Sequence, residues 1–471
     1  MSANLETYGV ARKKAGVLPP TGKDSALAGA GFRKNLIQFM LLAVDDLPTR
    51  RPLAGCQWVL PWLLLTALST SAQEALRNAQ AGDTASAART QQMQSPQSQD
   101  YTFKNGDFRL LVLPSLGLDW NDNVNLSKTN ALNDFILKPA VGLTATYPFT
   151  QRNLLYIDVT LDYDRYFNHP NLSSFQLNSA SGTGLSFDLG IKDVTLNFHD
   201  WINYVKDSAQ SATAANTSDY GTFQNTVGLS GLWDLNQASL SLGYDHQNVL
   251  ATSSQFDSIN HAAEMLVARA SLRVHPQVSV GLESTAAFTT YEQAILNDND
   301  AYTAGLYTKV TASKAMSLTA RGGFSTYQFQ QTSSLLQTSS ANSWYAGLIL
   351  THQPRESLNY SLTAGHEVQL GVQSDLVEDW YLRPSITWKF IKDMSFVTAL
   401  FYEHGQQGVG NVTGNLRENF DWYGGQLSLE KQLTRRFSLS LIYRLTLRTS
   451  TTPDQAYNQN LIGLQLTYHP Q

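Results

Sequence analysis

The side chains of this sequence best placed to act on a solute are charged residues spaced by two, four or six positions. Asp158, Asp162 and Asp164 alternate with the apolar residues of the run 155–163. Residues two apart in an extended strand point to the same face of a sheet, so these carboxylates are expected to share one face. Basic residues follow the same pattern in later runs: Arg269, Arg273, Arg321, Arg383, Lys389, Arg444 and Arg448. Opposite charges on different strands predict an electric field across the space that the sheet encloses.

No motif for enzymatic chemistry accompanies these charges. The nine histidines are dispersed and lack the spacing of metal ligands. We therefore expect no catalytic residue, no metal site and no cofactor, and predict that the protein is not an enzyme. The stretch 297–300, Asn-Asp-Asn-Asp, offers oxygen ligands for calcium, but a solvated loop is the favoured interpretation. The net charge of −5 gives no reason to expect a nucleic-acid partner.

The charged runs belong to units that recur about every 40 residues. Short segments rich in charged or turn-forming residues are each flanked by runs of about a dozen residues that alternate apolar and polar. These segments are 150–153, 191–193, 234–237, 275–277, 313–315, 354–357, 392–394 and 433–436. Longer stretches rich in Ser, Thr, Asn, Gln and Asp separate the units. The pattern indicates long β-hairpins with tight turns at one end and longer loops at the other.

The alternation predicts about 18 strands, within a range of 16–18. We place them at 108–120, 134–148, 154–167, 177–190, 194–205, 220–233, 238–250, 260–274, 278–291, 300–312, 316–329, 343–353, 358–370, 379–391, 395–405, 418–431, 437–449 and 457–469. The predicted fold is all-β, a transmembrane antiparallel up-and-down β-barrel with short periplasmic turns and longer extracellular loops. Since no predicted loop exceeds roughly 15 residues, we expect no long loop to fold into the lumen.

A β-propeller also repeats every 40 or so residues, but each blade needs four short strands. Here each period holds two strands of about 13 residues, long enough to cross a bilayer at a tilt. Aromatic residues also cluster near the predicted strand ends, for example Trp201, Trp344 and Trp422 near the long loops and Phe390 and Tyr468 near the turns. Two such girdles are typical of a membrane barrel.

The N-terminal part of the chain has the features of a secretory leader. Residues 57–68 form an apolar core of signal-peptide length that follows Arg50 and Arg51. We predict a signal-peptide region at 1–72, with cleavage after Ala72. Residues 1–39 are a mis-called extension in the alternative in which Met40 is the true start.

Cleavage at that point would leave two parts of the chain. Residues 73–100 are rich in Ala, Gln and Ser and are predicted to form a flexible periplasmic segment, or less favourably a short plug. The barrel would comprise residues 101–471. The single cysteine, Cys56, would be removed with the leader. Residues 53–56 match a lipoprotein box, but the apolar run follows this box instead of preceding it, so we disfavour lipidation.

Residues 101–471 resemble bacterial outer-membrane β-barrel proteins, and most closely the β-barrel porins of Gram-negative bacteria. The last predicted strand, with Leu464, Leu466 and Tyr468, is similar to the C-terminal signal that the barrel-assembly machinery reads, although three residues follow Tyr468. The resemblance implies a place in the Gram-negative outer membrane after Sec-type export. The implied partners are outer-membrane lipid, the assembly machinery and periplasmic chaperones; the oligomeric state is not predicted.

Three functions fit this barrel. The favoured one is a porin-like channel for small hydrophilic solutes, in which the charged residues named above line the lumen and set selectivity. The second is export of an anionic exopolysaccharide, since alginate exporters resemble this chain in strand number and in lining the pore with arginines. The third is a non-conducting structural or adhesive surface barrel. For the charges themselves, simple pairing with neighbouring strands is the alternative to a role in selectivity.

Overall fold

The computed structural model describes residues 101–178, 184–331, 333, 340–372, 374–408 and 417–470. The predicted signal region 1–72, with its alternatives, and the segment 73–100 lie outside the described residues. Among the described residues no helix is both long and apolar enough to cross a membrane. The helical elements of the described chain are short 3-10 turns in loops: Pro170–Leu172, Ser208–Gln210 and Ser254–Ile259.

The described chain forms a single antiparallel sheet of 20 strand segments. The segments are β1 (Phe103–Asn105), β2 (Phe108–Asn121), β3 (Asp134–Pro148), β4 (Leu154–Tyr166), β5 (Ser174–Asn178), β6 (Leu185–Ile191), β7 (Val194–Val205), β8 (Thr222–Asp234), β9 (Ala238–Ala251), β10 (His261–His275), β11 (Val278–Tyr291), β12 (Asn299–Ser313), β13 (Met316–Phe329), β14 (Ser340–Arg355), β15 (Leu358–Leu370), β16 (Leu376–Ile391), β17 (Met394–Gln407), β18 (Glu418–Gln432), β19 (Phe437–Ser450) and β20 (Tyr457–Tyr468).

The sheet closes because β2 pairs with β20 over Ser115–Asn121. β5 and β6 both pair with β4 on one side and with β7 on the other, so together they make one spanning strand. β1 pairs with residues 108–110 of β2, the part of β2 that lies beyond its pairing with β20. The result is a closed barrel of 18 spanning strands, which confirms the predicted fold.

The strand bounds follow the sequence pattern closely. The predicted strands 134–148, 194–205, 278–291, 316–329 and 358–370 have the same bounds in the structure. The predicted strand 177–190 is instead divided into β5 and β6. Where β6 begins, Gly184 has a φ of 40° and its carbonyl oxygen accepts a hydrogen bond from the Asp158 amide at 2.8 Å. The chain therefore rejoins the ladder through a backbone conformation that favours glycine.

The tight turns also contain the residues that their geometry requires. Lys192, Asn236 and Asp393 have φ values of 54°, 66° and 63°. Positive φ is common in the shortest hairpin connections because it matches the twist of the flanking strands. These turns hold neighbouring strands in register, which fixes the face to which each side chain points.

The outer surface of the barrel carries an apolar belt. Leu266, Leu272, Leu306 and Phe324 point away from the lumen and are 47%, 51%, 63% and 76% exposed. So many large apolar side chains are unfavourable when exposed to water and favourable when exposed to lipid. Because the closed sheet bonds its backbone groups between strands, this belt can lie in hydrocarbon.

On the inner surface, tyrosines pack against glycines of neighbouring strands. The pairs are Tyr307 with Gly281, Tyr345 with Gly305 and Gly323, and Tyr381 with Gly365. A Cβ atom added at Gly323 would lie 2.3 Å from the Ala304 carbonyl oxygen and 2.6 Å from the Gly305 Cα. The Tyr345 ring and the backbone of Ala304 and Gly305 fill the space that a side chain at position 323 would need, so packing requires glycine there.

This packing predicts that Gly323→Ala destabilises the barrel, because backbone atoms would have to move. We expect the free energy of unfolding to fall by about 1–3 kcal/mol. The measurement is urea unfolding of the protein in lipid vesicles, followed by tryptophan fluorescence. Gly322→Ala is the matched control, since a Cβ there meets only the Tyr345 carbonyl oxygen at 3.4 Å. Equal losses from the two variants would contradict the prediction.

Candidate functional site

The predicted acidic residues, Asp158, Asp162 and Asp164, lie on the lumen face of β4, and we call them the acidic wall. Tyr163, on the opposite face of the same strand, is 40% exposed on the outside. Asp164 lies 3.5 Å from the ammonium group of Lys138, which also contacts Asp119 at 3.3 Å. The other two carboxylates accept hydrogen bonds from neutral side chains: Asp158 from Thr144 and Tyr156, and Asp162 from Asn178.

Three predicted arginines, Arg269, Arg321 and Arg383, lie on the lumen faces of β10, β13 and β16, and we call them the basic wall. The order of strands places β13 across the barrel from β4. Arg383 Nε donates to Glu403 Oε1 at 3.0 Å, and its guanidinium lies 5.0 Å from the centre of the Tyr381 ring. Across the lumen from the acidic wall, the structure therefore places arginines that lie beside carboxylates of neighbouring strands.

Glu283 and Tyr345 lie beside Arg269 and Arg321 of the basic wall. Glu283 is the direct register partner of Arg269 on the neighbouring strand. It accepts a hydrogen bond from the Tyr345 hydroxyl at 3.0 Å. A Cβ at Gly347, next to Tyr345 on the same face, would lie 3.1 Å from Arg321 Cγ. Arginines, tyrosines and carboxylates thus form one continuous polar surface, which suits solutes that carry both charges and hydroxyl groups.

The remaining predicted basic residues lie at two other levels of the barrel. Arg273 and Lys389 lie near the tight-turn ends of β10 and β16 and are exposed. Arg444 and Arg448 lie on β19, where both contact residues 206–221, the loop between β7 and β8. Arg444 is paired with Asp207 at 3.0 Å, and Arg448 Nε donates to the Ala212 carbonyl oxygen at 2.8 Å.

These contacts show that the expectation of no long in-folding loop was wrong. Loop 206–221 leaves β7 and crosses the lumen to the inner face of β19. The loop has about the predicted length. Its position against the inner wall depends instead on its composition. Ala209, Ala212 and Ala214 are almost fully buried, at 3–4% exposure. Small apolar side chains let the backbone lie flat against an inner wall, which larger polar residues would prevent.

The first half of this loop is covered by an apolar cluster. Ala209 and Ala212 pack with Leu126 of the β2–β3 loop and with Trp422 and Tyr457 of the barrel wall. Arg448 lies beneath them, 1% exposed, with its guanidinium 4.7 Å from the centre of the Phe420 ring. Its charge faces Glu418 at 2.8 Å. Arg448 thus lies on the predicted inward face of β19, where it anchors the loop and is covered by it.

The tip of the β15–β16 hairpin also enters the lumen. Asp375 accepts two hydrogen bonds from Asn297 of the β11–β12 loop, from the backbone amide at 3.0 Å and from Nδ2 at 2.8 Å. Asn297 is fully buried, so the stretch 297–300 is not the solvated loop that we expected. Asp298 Oδ1 accepts a hydrogen bond from the Tyr291 amide. Among the described residues no group of three or more His, Cys, Asp or Glu could hold a metal ion.

Several charged residues of the lumen were not predicted from the sequence. Glu283 and Glu403 follow the inward phase of strands that were predicted correctly, so the alternation alone could have found them. Lys138 follows the inward phase of β3 and could have been predicted in the same way. Asp207 lies in a loop, where period-2 alternation carries no information about direction. Its partner Arg444 was predicted, but the pairing depends on how the loop folds.

The predicted assembly residues lie on the outside of the last strand. Leu464 and Leu466 are 49% and 39% exposed, and the Tyr468 ring lies 5.3 Å from the Phe437 ring. β20 ends at Tyr468, and the amide of His469 donates to the Arg436 carbonyl oxygen. Recognition of this strand by the assembly machinery stays a prediction.

No family model and no curated protein matches the sequence. Solved structures of low identity are similar in fold. OccK2 (OpdF) of Pseudomonas aeruginosa in complex with glucuronate has 10% identity and a TM-score of 0.46, over 79% of this chain and 100% of that one. A BenF-like porin from Pseudomonas fluorescens Pf-5 has 10% identity and a TM-score of 0.45, over 77% and 99%. OccD3 (OpdP) of Pseudomonas aeruginosa has 10% identity and a TM-score of 0.42, over 76% and 91%.

The pair Asp207–Arg444, which we call the latch, holds loop 206–221 against β19. Burial would raise the pKa of the Asp207 carboxyl. The charges of Arg444 and Lys138, with hydrogen bonds from Arg444 and Gln210, instead lower this pKa to about 2. A carboxyl whose pKa is lowered by folding contributes stability above its unfolded value and loses it as the pH falls through the folded value. The latch is therefore closed at neutral and mildly acidic pH.

This shift predicts the acid response of the latch. We expect the contribution of Asp207 to single-channel conductance, measured as the difference between the unaltered protein and Asp207→Asn, to stay constant from pH 8 to about pH 4 and to change only as the pH approaches about 2. The measurement is a conductance series in planar bilayers at fixed salt concentration. Asp207→Asn is the comparison, because it removes the titrating group. A transition of the unaltered protein centred near pH 4–5, absent from the variant, would contradict a lowered pKa.

Breaking the latch should widen the lumen. Arg444→Gln leaves the half-buried Asp207 without its charge partner, which weakens the attachment of the loop to β19. We expect loop 206–221 to leave β19 and single-channel conductance to rise. Arg436→Gln is the matched control, because it removes the same charge from an exposed tight turn. Equal conductance of the two variants would mean that the latch does not hold the loop.

Proposed function

We propose that the protein is an outer-membrane, porin-like channel for small hydrophilic solutes. The observation that carries this proposal is the closed barrel of 18 spanning strands whose lumen face carries charged side chains, among them the acidic wall on β4 and the basic wall on β10, β13 and β16. A lumen lined by such charges favours solutes with charge or a large dipole. Sec-type export, assembly through the C-terminal strand and contact with outer-membrane lipid belong to the same proposal, and no enzymatic role is part of it.

The inward loops favour small solutes over a polymer. Loop 206–221 and the β15–β16 tip reach into the extracellular half and are held there by buried contacts. A polysaccharide chain would have to displace both, whereas a small solute needs only a passage between them. Toward the periplasm the lumen face carries exposed Arg273 and Lys389, which supports a water-filled lower half.

The proposal is tested by conductance of the purified, refolded protein in planar bilayers. We expect discrete channels whose reversal potential in a salt gradient reports the charge of the basic wall. Arg321→Gln should shift the permeability ratio toward cations by about twofold, as expected for one charge near the ion path. Arg436→Gln is the matched control, since it removes the same charge from an exposed turn.

Two outcomes would overturn this proposal in different ways. If the folded protein forms no channels, the barrel is structural or adhesive. If channels form but Arg321→Gln and Arg436→Gln shift selectivity equally, solutes do not pass the basic wall.

A further inference from the structure

The outer face of the barrel contains a concavity that extends from β7 to β14. Its volume is about 1150 Å³, just above the range usual for small-molecule sites. The large side chains that line it have the outward phase of their strands: Leu242, Leu266, Tyr302 and Phe324 are 55%, 47%, 38% and 76% exposed. The concavity therefore opens toward lipid and not toward the lumen.

The floor of the concavity consists of small side chains. Three consecutive register partners on β10, β11 and β12 form it: Ala268, Ser284 and Ala304. Leu242 and Phe324 continue the same row on its two sides. The Ser284 hydroxyl donates to the Thr303 carbonyl oxygen at 2.9 Å, so its proton is already bonded. A depression with such a floor can accept a hydrocarbon chain without burying an unpaired donor.

Two carboxylates lie at the end of the concavity nearest the long loops. Glu264 and Asp300 have the outward phase of β10 and β12, and Phe288 of β11 is the register partner of both. Because neighbouring strands are about 4.8 Å apart, the backbones of the two acidic residues are roughly 10 Å apart with Phe288 between them. The Glu264 side chain is 47% exposed, so its charge can reach a group outside the wall.

Aromatic side chains accompany these carboxylates. The rings of Phe288 and Tyr302 lie edge to face with centres 6.1 Å apart. The Tyr244 hydroxyl donates to Glu264, and His246 Nδ1 contacts the same carboxylate at 2.8 Å. Within β9–β13, which the structure describes completely, no Lys or Arg has the outward phase. Carboxylates beside aromatic rings, without a basic side chain of the same face, complement an ammonium group through ion pairing and cation–π attraction.

We propose that this concavity binds an amphiphile with an ammonium head, taken from the membrane leaflet nearest the long loops. The head lies at Phe288 between Glu264 and Asp300. The hydrocarbon chain lies along the floor at Ala268. The site is on the opposite face of the wall from the lumen, so binding goes beyond the proposed channel and does not depend on it.

The test is native mass spectrometry of the purified protein in a neutral detergent. The protein is titrated with dodecyltrimethylammonium, dodecyl maltoside and dodecanoate, which share the chain length and differ in the charge of the head. We expect dodecyltrimethylammonium to bind about tenfold more tightly than either of the others, as expected for one ion pair and one cation–π contact at a partly desolvated surface.

A substitution at the head site tests the carboxylates. Glu264→Gln should weaken binding of dodecyltrimethylammonium by about threefold to tenfold and leave binding of dodecyl maltoside unchanged. Asp421→Asn is the matched control. Asp421 likewise accepts a hydrogen bond from a tyrosine, Tyr402, and contacts a histidine, His404, on the outer face, but it does not line the concavity. We expect the control to bind dodecyltrimethylammonium as the unaltered protein does.

A substitution on the floor tests the position of the chain. Ala268→Leu fills the depression and should weaken binding of dodecyltrimethylammonium by about threefold or more. Ala270→Leu is the matched control, because Ala270 is the next residue on the same face of β10 and lies outside the concavity. Heat-dependent migration in gel electrophoresis shows whether each variant is folded.

Several outcomes would overturn the proposal. Equal affinity for the three amphiphiles would mean that the rim does not select an ammonium head, as would equal effects of Glu264→Gln and Asp421→Asn. Equal effects of Ala268→Leu and Ala270→Leu would remove the chain from the concavity. A mass of two or more copies without bound dodecyltrimethylammonium would assign this face to a second copy of the chain. If the protein forms no channels but keeps the preference for the ammonium head, the porin-like channel is refuted and this site stands.

Discussion

Every backbone amide and carbonyl group that faces hydrocarbon must be bonded within the protein, and the rest of this structure depends on that constraint. Pairing of β2 with β20 meets it by closing the sheet. Once the sheet is closed, each strand has one lipid face and one lumen face, and the tight turns fix which is which. The position of Asp158 and of Arg321 in the lumen is thus a consequence of closure, because neighbouring residues on both strands face lipid.

A closed sheet of 18 strands encloses more space than its own side chains can fill. The chain fills the extracellular half with loops made of small residues, which lie against the wall at Ala209 and Ala212. Buried loops bring polar groups with them, and each needs a partner. Arg444 and Arg448 supply such partners from β19. Arg444 and Arg448, which would otherwise face an open lumen, therefore bind the loop that narrows it.

The sequence predicted the barrel well because one physical rule, alternation between lipid and water, governs every spanning strand. It predicted the lumen charges for the same reason, with Arg269 and Arg383 as examples. It could not predict how the loops fold, because the side chains of a loop do not alternate between a lipid face and a water face. The rule also misleads at the β15–β16 tip. Val368 keeps the outward phase, but its strand has left the wall, so its outward face meets the inner surface of β13.

Among the described residues, β2 extends past β20 and β15 extends past its pairing with β14, and the barrel covers these two ends differently. At the periplasmic end of β2, the short β1 supplies a backbone ladder, with partners from Phe103 to Asn105. At the extracellular end of β15, a tyrosine hydroxyl and the rings of Trp344 and Trp380 replace the ladder. A ladder opens only when several hydrogen bonds break together, whereas a ring moves by a change of rotamer. Backbone pairing therefore covers the end of β2, whereas side chains cover the end of β15.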